Sequence, residues 1–127
     1  TYRNLLEFDI LEDYSMGYAS EIGFRASICT PFNFYDLDLD VSTKLRLTPF
    51  MLMDGTMKDY MRMSPEESID RAKSLIDEVK AVNGTFVTLW HNQSVNDREE
   101  WNGWRNVYEE IVAYAVKDIP VKPFPQV

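Results

Sequence analysis

Histidine is nearly missing from this chain, with His91 the one imidazole among 127 residues. Catalytic zinc centres usually draw on two or three histidines, so these residues cannot build one unaided. Cysteine is equally scarce. Cys29 stands alone, which excludes an internal disulfide framework and a multi-cysteine metal site. Next to Ile28 and close to Pro31, with no basic group nearby in sequence, it reads as a small buried hydrophobe rather than a thiolate nucleophile. Basic charge is in deficit, 13 Lys and Arg against 21 Asp and Glu for a net charge of −8. Such a chain repels a phosphate backbone, and its cations are scattered rather than striped, so nucleic acid is not an expected partner. No uncharged apolar run approaches the roughly 20 residues that cross a bilayer. No basic segment followed by an apolar core opens the chain, so no signal peptide is read and the compartment stays open. The start at Thr1-Tyr2-Arg3-Asn4, without an initiator Met, is what a segment of a longer protein would show.

What is present is an ordinary globular composition, 45% apolar and 27% charged, in a length suited to one domain and too short for two. Residues 1–118 carry the patterned sequence. Residues 119–127 hold Pro120, Pro123 and Pro125 and read as an extended tail.

The clearest element is a helix over about 64–82. Ser64 as N-cap, Pro65 at the first helical position and Glu67 three residues after the cap form a capping box. Ile69, Ala72, Leu75, Ile76, Val79 and Val82 then make an apolar stripe, and Asn83-Gly84 ends it, with Gly84 suited to the left-handed C′ position. The run Thr85 to Trp90 reads as a strand, nearly continuously apolar as in a parallel sheet covered on both faces. A second amphipathic helix is expected over 97–116, capped by Asp97 with Glu100. Its stripe is Trp101, Trp104, Tyr108, Ile111 and Ala115.

The first half is less regular. Residues 2–8 suggest the end of a helix, 23–27 a short strand, 30–40 an aromatic and acidic loop, 44–53 a second strand and 57–63 a short helix. The order strand, helix, strand, helix, with Pro and Gly at the junctions, predicts an α/β fold of consecutive βα units with a mostly parallel sheet. In such sheets chemistry collects at the C-terminal ends of strands, where His91 and Asp54 both fall.

A neutral-pH imidazole gives and takes protons, and His91 stands where a parallel α/β enzyme places such a group. It equally suits a hydrogen bond within a loop. Trp90 is either a sugar-stacking surface or core. Arg25, in the apolar run Gly23-Phe24-Arg25-Ala26, needs a carboxylate or several carbonyls, and either orients a catalytic acid or ties two elements together. Asp36, Asp38 and Asp40 alternate with Leu37 and Leu39 but lack the Gly and distant Glu of a calcium loop, and read as a solvated face.

Taken in order, Gly23-Phe24-Arg25-Ala26, Pro31-Phe32, Tyr35-Asp36-Leu37, Met53-Asp54-Gly55-Thr56 and Leu89-Trp90-His91-Asn92 resemble the C-terminal half of polysaccharide-deacetylase-like proteins of bacteria, over roughly residues 10–115. The resemblance implies the C-terminal portion of an irregular (β/α) barrel, and part of a hydrolase that removes N- or O-acetyl groups from a polysaccharide or oligosaccharide. It implies His91 as general acid, Asp54 as the acid that orients it, Arg25 as the arginine that orients a catalytic base, and Leu89, with Trp90, on the substrate side. The paired aspartates and the His-x-x-x-His metal motif of that family do not occur here, and Trp90 and Asn92 depart from the common form of the late motif. A divalent, zinc-like metal is therefore expected only in an intact parent, and no metal is expected on this chain alone. The open sheet edge calls for the N-terminal half of the same domain or a second copy. Two other readings stand beside this one, a non-catalytic carbohydrate-binding relative of the same fold and a protein-interaction domain with exposed aromatics.

Overall fold

The computed structural model describes residues 1–120. Residues 121–127 of the proline-rich tail lie outside that range. The elements in chain order are α1 (Tyr2–Glu7), β1 (Glu12–Asp13), β2 (Phe32–Asp36), β3 (Val41–Leu47), β4 (Leu52–Met53), a π-helical turn (Thr56–Tyr60), α2 (Pro65–Ala81), β5 (Thr88–Leu89), a short 3-10 turn (Glu99–Trp101) and α3 (Trp104–Val116). The fold is mixed α/β, with two small sheets. In the first, β3 lies between β1, its parallel neighbour, and β2, its antiparallel one. The second is the parallel pair β4–β5, with α2 as the crossover between its strands. No barrel closes among the described residues.

The α2 cap forms as the spacing predicts. Glu67 N–H donates to Ser64 Oγ at 3.2 Å, and Ser64 N–H donates to Glu67 Oε2 at 2.8 Å, which satisfies two otherwise orphaned helix-end donors. Ala72, Leu75, Ile76 and Val79 are buried, while Val82 is 64% exposed and falls off the stripe. The left-handed residue after the helix is Asn83 (φ 53°) rather than Gly84. Gly84 serves close approach instead. A Cβ there would stand 2.3 Å from Cys29 Sγ, and the next residue, Thr85, donates its N–H to the Cys29 carbonyl at 2.7 Å. Cys29 itself is buried.

Four expectations give way to the structure. Residues 30–40 form a strand and turn rather than a loop. Phe32, Phe34 and Asp36 face inward and alternate with exposed Asn33 and Tyr35, the period of two that defines a half-buried strand. Residues 23–27 turn instead of extending, because Gly23 (φ 134°) and Ser27 (φ 58°) both leave the β region. The 44–53 stretch splits. Pro49 interrupts it, leaving β3 in one sheet and β4 in the other, since proline has no N–H for a ladder.

The last helix begins at Trp104, not Asp97. Asp97 and Glu99 are left-handed at φ 59° and 51°, and Asp97 Oδ1 accepts the Gly103 N–H at 2.6 Å in place of a capping box. The buried stripe then runs Trp101, Trp104, Val107 and Ile111, and Tyr108 is 38% exposed.

The main core lies under β4, α2 and α3, with Met51, Leu52, Met57, Ile76, Val79, Trp104, Val107 and Ile111 in one cluster. Among the described residues no helix is long and apolar enough to cross a membrane.

Candidate functional site

Parallel pairing decides where the site falls. Met53 is opposite Leu89 in the β4–β5 register, so the residues that follow each strand emerge side by side at one edge. Asp54 comes one residue after β4 and His91 two after β5. They meet, with His91 Nδ1 2.7 Å from Asp54 Oδ1.

Asp54 is fully buried and receives four donors. Gly55 N–H (2.6 Å) and His91 Nδ1 reach Oδ1, while His91 N–H (2.7 Å) and the Ser94 hydroxyl reach Oδ2. Burial pushes its carboxyl up, but hydrogen bonds from the His91 N–H, the Ser94 hydroxyl, the His91 ring and the Gly55 N–H outweigh it and hold it below the ordinary carboxylate range. An ionised carboxylate only accepts, so Nδ1 carries the proton it shares with Asp54. Nε2 is then left for solvent or substrate, and the ring is half exposed at 52%. A buried acid aiming an exposed imidazole is an arrangement that moves protons at a bound molecule.

The other residues singled out from sequence fall nearby or apart. Trp90 is half-buried. Its indole N–H donates to Thr88 Oγ1 at 2.9 Å, and its ring meets Tyr108 edge-on at 5.2 Å. Leu89 is half-buried in β5. Arg25 is exposed and donates to the Gly17 carbonyl at 3.0 Å, so the structure ties it to the Gly17 loop rather than to Asp54 or His91.

Asp36, assigned to a solvated face by pattern, is instead buried. It accepts from Asp38 and Leu39 N–H and pairs with Arg3 at 2.6 Å. Ser94 is the site residue that sequence reasoning passed over. Its signal was a His-x-x-Ser spacing in a polar loop, which lets Ser94 N–H turn back to the His91 carbonyl at 3.1 Å.

Among the described residues no three His, Cys, Asp or Glu side chains cluster as a metal would require. The chemistry of the donors agrees, because all four lone-pair positions of Asp54 are filled and one nitrogen of His91 faces it. Of this pair only His91 Nε2 stays open, a single ligand where a metal site takes several. Comparison with protein-family models, curated proteins and solved structures gives no match.

Proposed function

We propose that this chain supplies the proton-transfer side of a hydrolase that removes acetyl groups from a polysaccharide, within the C-terminal portion of an irregular (β/α) barrel. The observation that carries this reading is the Asp54–His91 pair at the C-terminal edge of a parallel strand pair. Two residues chosen from separate sequence motifs stand in contact there.

In this reading His91 Nε2 gives its proton to the leaving nitrogen or oxygen as the bond to the acetyl carbon breaks. Asp54 stabilises the imidazolium before transfer and keeps the ring aimed. Leu89 at the end of β5 and Trp90 directly after it line the substrate side, with the Trp90–Tyr108 pair offering an aromatic surface to a sugar face. Arg25 joins the mechanism only through a carboxylate that the described residues do not present to it. A divalent metal, and the motifs that would hold it, belong to polypeptide outside these residues, and no step assigned to this chain passes through that metal.

β5 has β4 as its one partner among the described residues, and residues 86–90, of which β5 keeps only Thr88 and Leu89, are half-buried rather than covered. An open edge next to the site suits the N-terminal half of the same domain, or a second copy.

The test is acetate release from acetylated chitin- and xylan-type oligosaccharides by the intact parent protein. His91→Ala is expected to lower turnover by roughly 10²–10⁴-fold with the fold unchanged by circular dichroism. Unaltered release by that variant removes His91 from the mechanism. Retained sugar binding by a wild-type parent that releases no acetate would favour a carbohydrate-binding role for the aromatic pair.

A further inference from the structure

Ser94 is fully buried, and its hydroxyl has two acceptors and one proton. It reaches Asp54 Oδ2, and it also lies 2.7 Å from the His91 carbonyl. One proton can serve only one of the two, and the charged carboxylate is the stronger acceptor, so the hydroxyl gives its proton to Asp54. Of the four donors around the carboxylate, the Gly55 and His91 backbone N–H groups are fixed and can never accept. His91 Nδ1 and Ser94 Oγ can each either give or take a hydrogen bond. A proton arriving on Asp54 must therefore displace one of these two. While the ring is neutral, that proton turns the imidazole to its other tautomer; once the ring is an imidazolium neither nitrogen can accept, and only Ser94 can yield, sending its proton round to the His91 carbonyl.

We propose that Ser94 is a positioning residue that holds Asp54 in its acceptor-only form, and thereby fixes His91 with Nδ1–H inward and Nε2 outward. Asp54 orients the ring, and Ser94 keeps Asp54 able to do so. The role deepens the proposed function, because a fixed tautomer matters most if His91 transfers protons. It acts through Asp54 and touches neither substrate nor Nε2. The hydrogen bond to the carboxylate needs only a hydroxyl at this buried position, whereas a loop-shaping role would be met by the backbone bond from Ser94 N–H to the His91 carbonyl, which alanine retains.

The experiment follows the Asp54 carboxyl carbon by NMR through an acid titration of the full chain, as wild type, Ser94→Ala and Ser94→Cys. Loss of one charge-assisted donor is expected to raise the Asp54 midpoint in Ser94→Ala by about one pH unit or more. Cys, a near-isostere with a weak S–H donor, is expected to give a smaller rise. An Asp54 midpoint that stays at the wild-type value in Ser94→Ala, with the amide spectrum otherwise preserved, overturns the role. Should the alanine variant fail to fold, Ser94→Cys decides alone, a rise supporting the role and an unchanged midpoint rejecting it. The titration reads no activity. Its failure leaves the acetyl-hydrolase reading standing, and unaltered acetate release by His91→Ala would sink that reading without touching this one.

Discussion

The two ends of the chain hold together by different means. From Met51 to Ile111 the packing is mainly apolar, around the buried polar cluster of Asp54 and Ser94. α2 and α3 press Ala72, Ile76, Val79, Trp104, Val107 and Ile111 against Met51, Leu52 and Met57 under the parallel strands, and each fully buried side chain of this kind contributes roughly 1.5–3 kcal/mol. From Thr1 to Leu47 few large side chains are enclosed. Phe8, Leu37 and Leu39 are 78%, 84% and 67% exposed, α1 buries none of its residues, and polar links do the joining. Arg3 bridges Asp36 and Asp38, the Thr43 hydroxyl donates to the Phe34 carbonyl, and Tyr35 donates to Asp40. The contrast shows why the site sits where it does. Asp54 and His91 extend from the half with the packed apolar core, so a buried acid aims a ring from a well-filled base, whereas the polar half presents apolar side chains that the other described residues leave uncovered.

Substitutions in the two halves should therefore respond differently. The largest effect is expected from Trp104→Ala. Trp104 is 3% exposed and stacks edge-on with Trp101 at 5.5 Å, so truncation should cost about 3–5 kcal/mol in urea unfolding. A loss well under 1 kcal/mol would mean that the helical core is not where stability resides.

The polar half should answer to pH instead. Its hydrogen bond to Arg3 outweighs the opposing effect of burial and, with the Leu39 and Asp38 N–H donors, lowers the Asp36 carboxyl from 3.8 to about 2. A carboxyl held lower in the folded chain than in the unfolded one stabilises folding above the unfolded value, and that contribution disappears as pH falls through the folded value. The urea midpoint should thus drop between about pH 4 and pH 2, and the drop should shrink in Asp36→Asn. An identical acid profile in that variant would dismiss the Arg3–Asp36 pair as a source of stability.

The smallest effect is expected at the hairpin tip. Leu37→Ser should change stability by no more than about 0.5 kcal/mol, because the side chain is already in water. A larger loss would reveal a cover that the described residues do not supply.

Legibility in the sequence follows the same divide. α2 could be read to its cap because Ser64, Pro65 and Glu67 act locally and its stripe meets one apolar surface. The pairing of Asp54 with His91 was within reach because parallel strands deliver their following residues to one edge. β2 was hidden by composition. The sequence Phe-Asn-Phe-Tyr-Asp carries a clean period of two, but its acidic neighbours look like a loop until Arg3, 33 residues away, is seen to neutralise Asp36. The start of α3 was misplaced because Asp97 caps a turn ending at Gly103 instead of the helix itself, a choice made by the burial of Trp101 and Trp104. Ser94 gave only a spacing, since a hydroxyl three residues after a histidine becomes informative once the acid it shares with that histidine is known. Arg25 stood in an apolar run, yet its exposed position and single carbonyl partner depend on the turns at Gly23 and Ser27, which residue types alone do not fix.

Asp54 holds the His91 ring with its inner nitrogen protonated and its outer nitrogen free, and nitrogen NMR of that ring reads this directly. Above the pH at which the ring loses its second proton, the account predicts the Nδ1–H tautomer in the wild-type chain, and loss of that preference in Asp54→Asn. A wild-type ring protonated on Nε2, or one whose tautomer ignores Asp54→Asn, would contradict it.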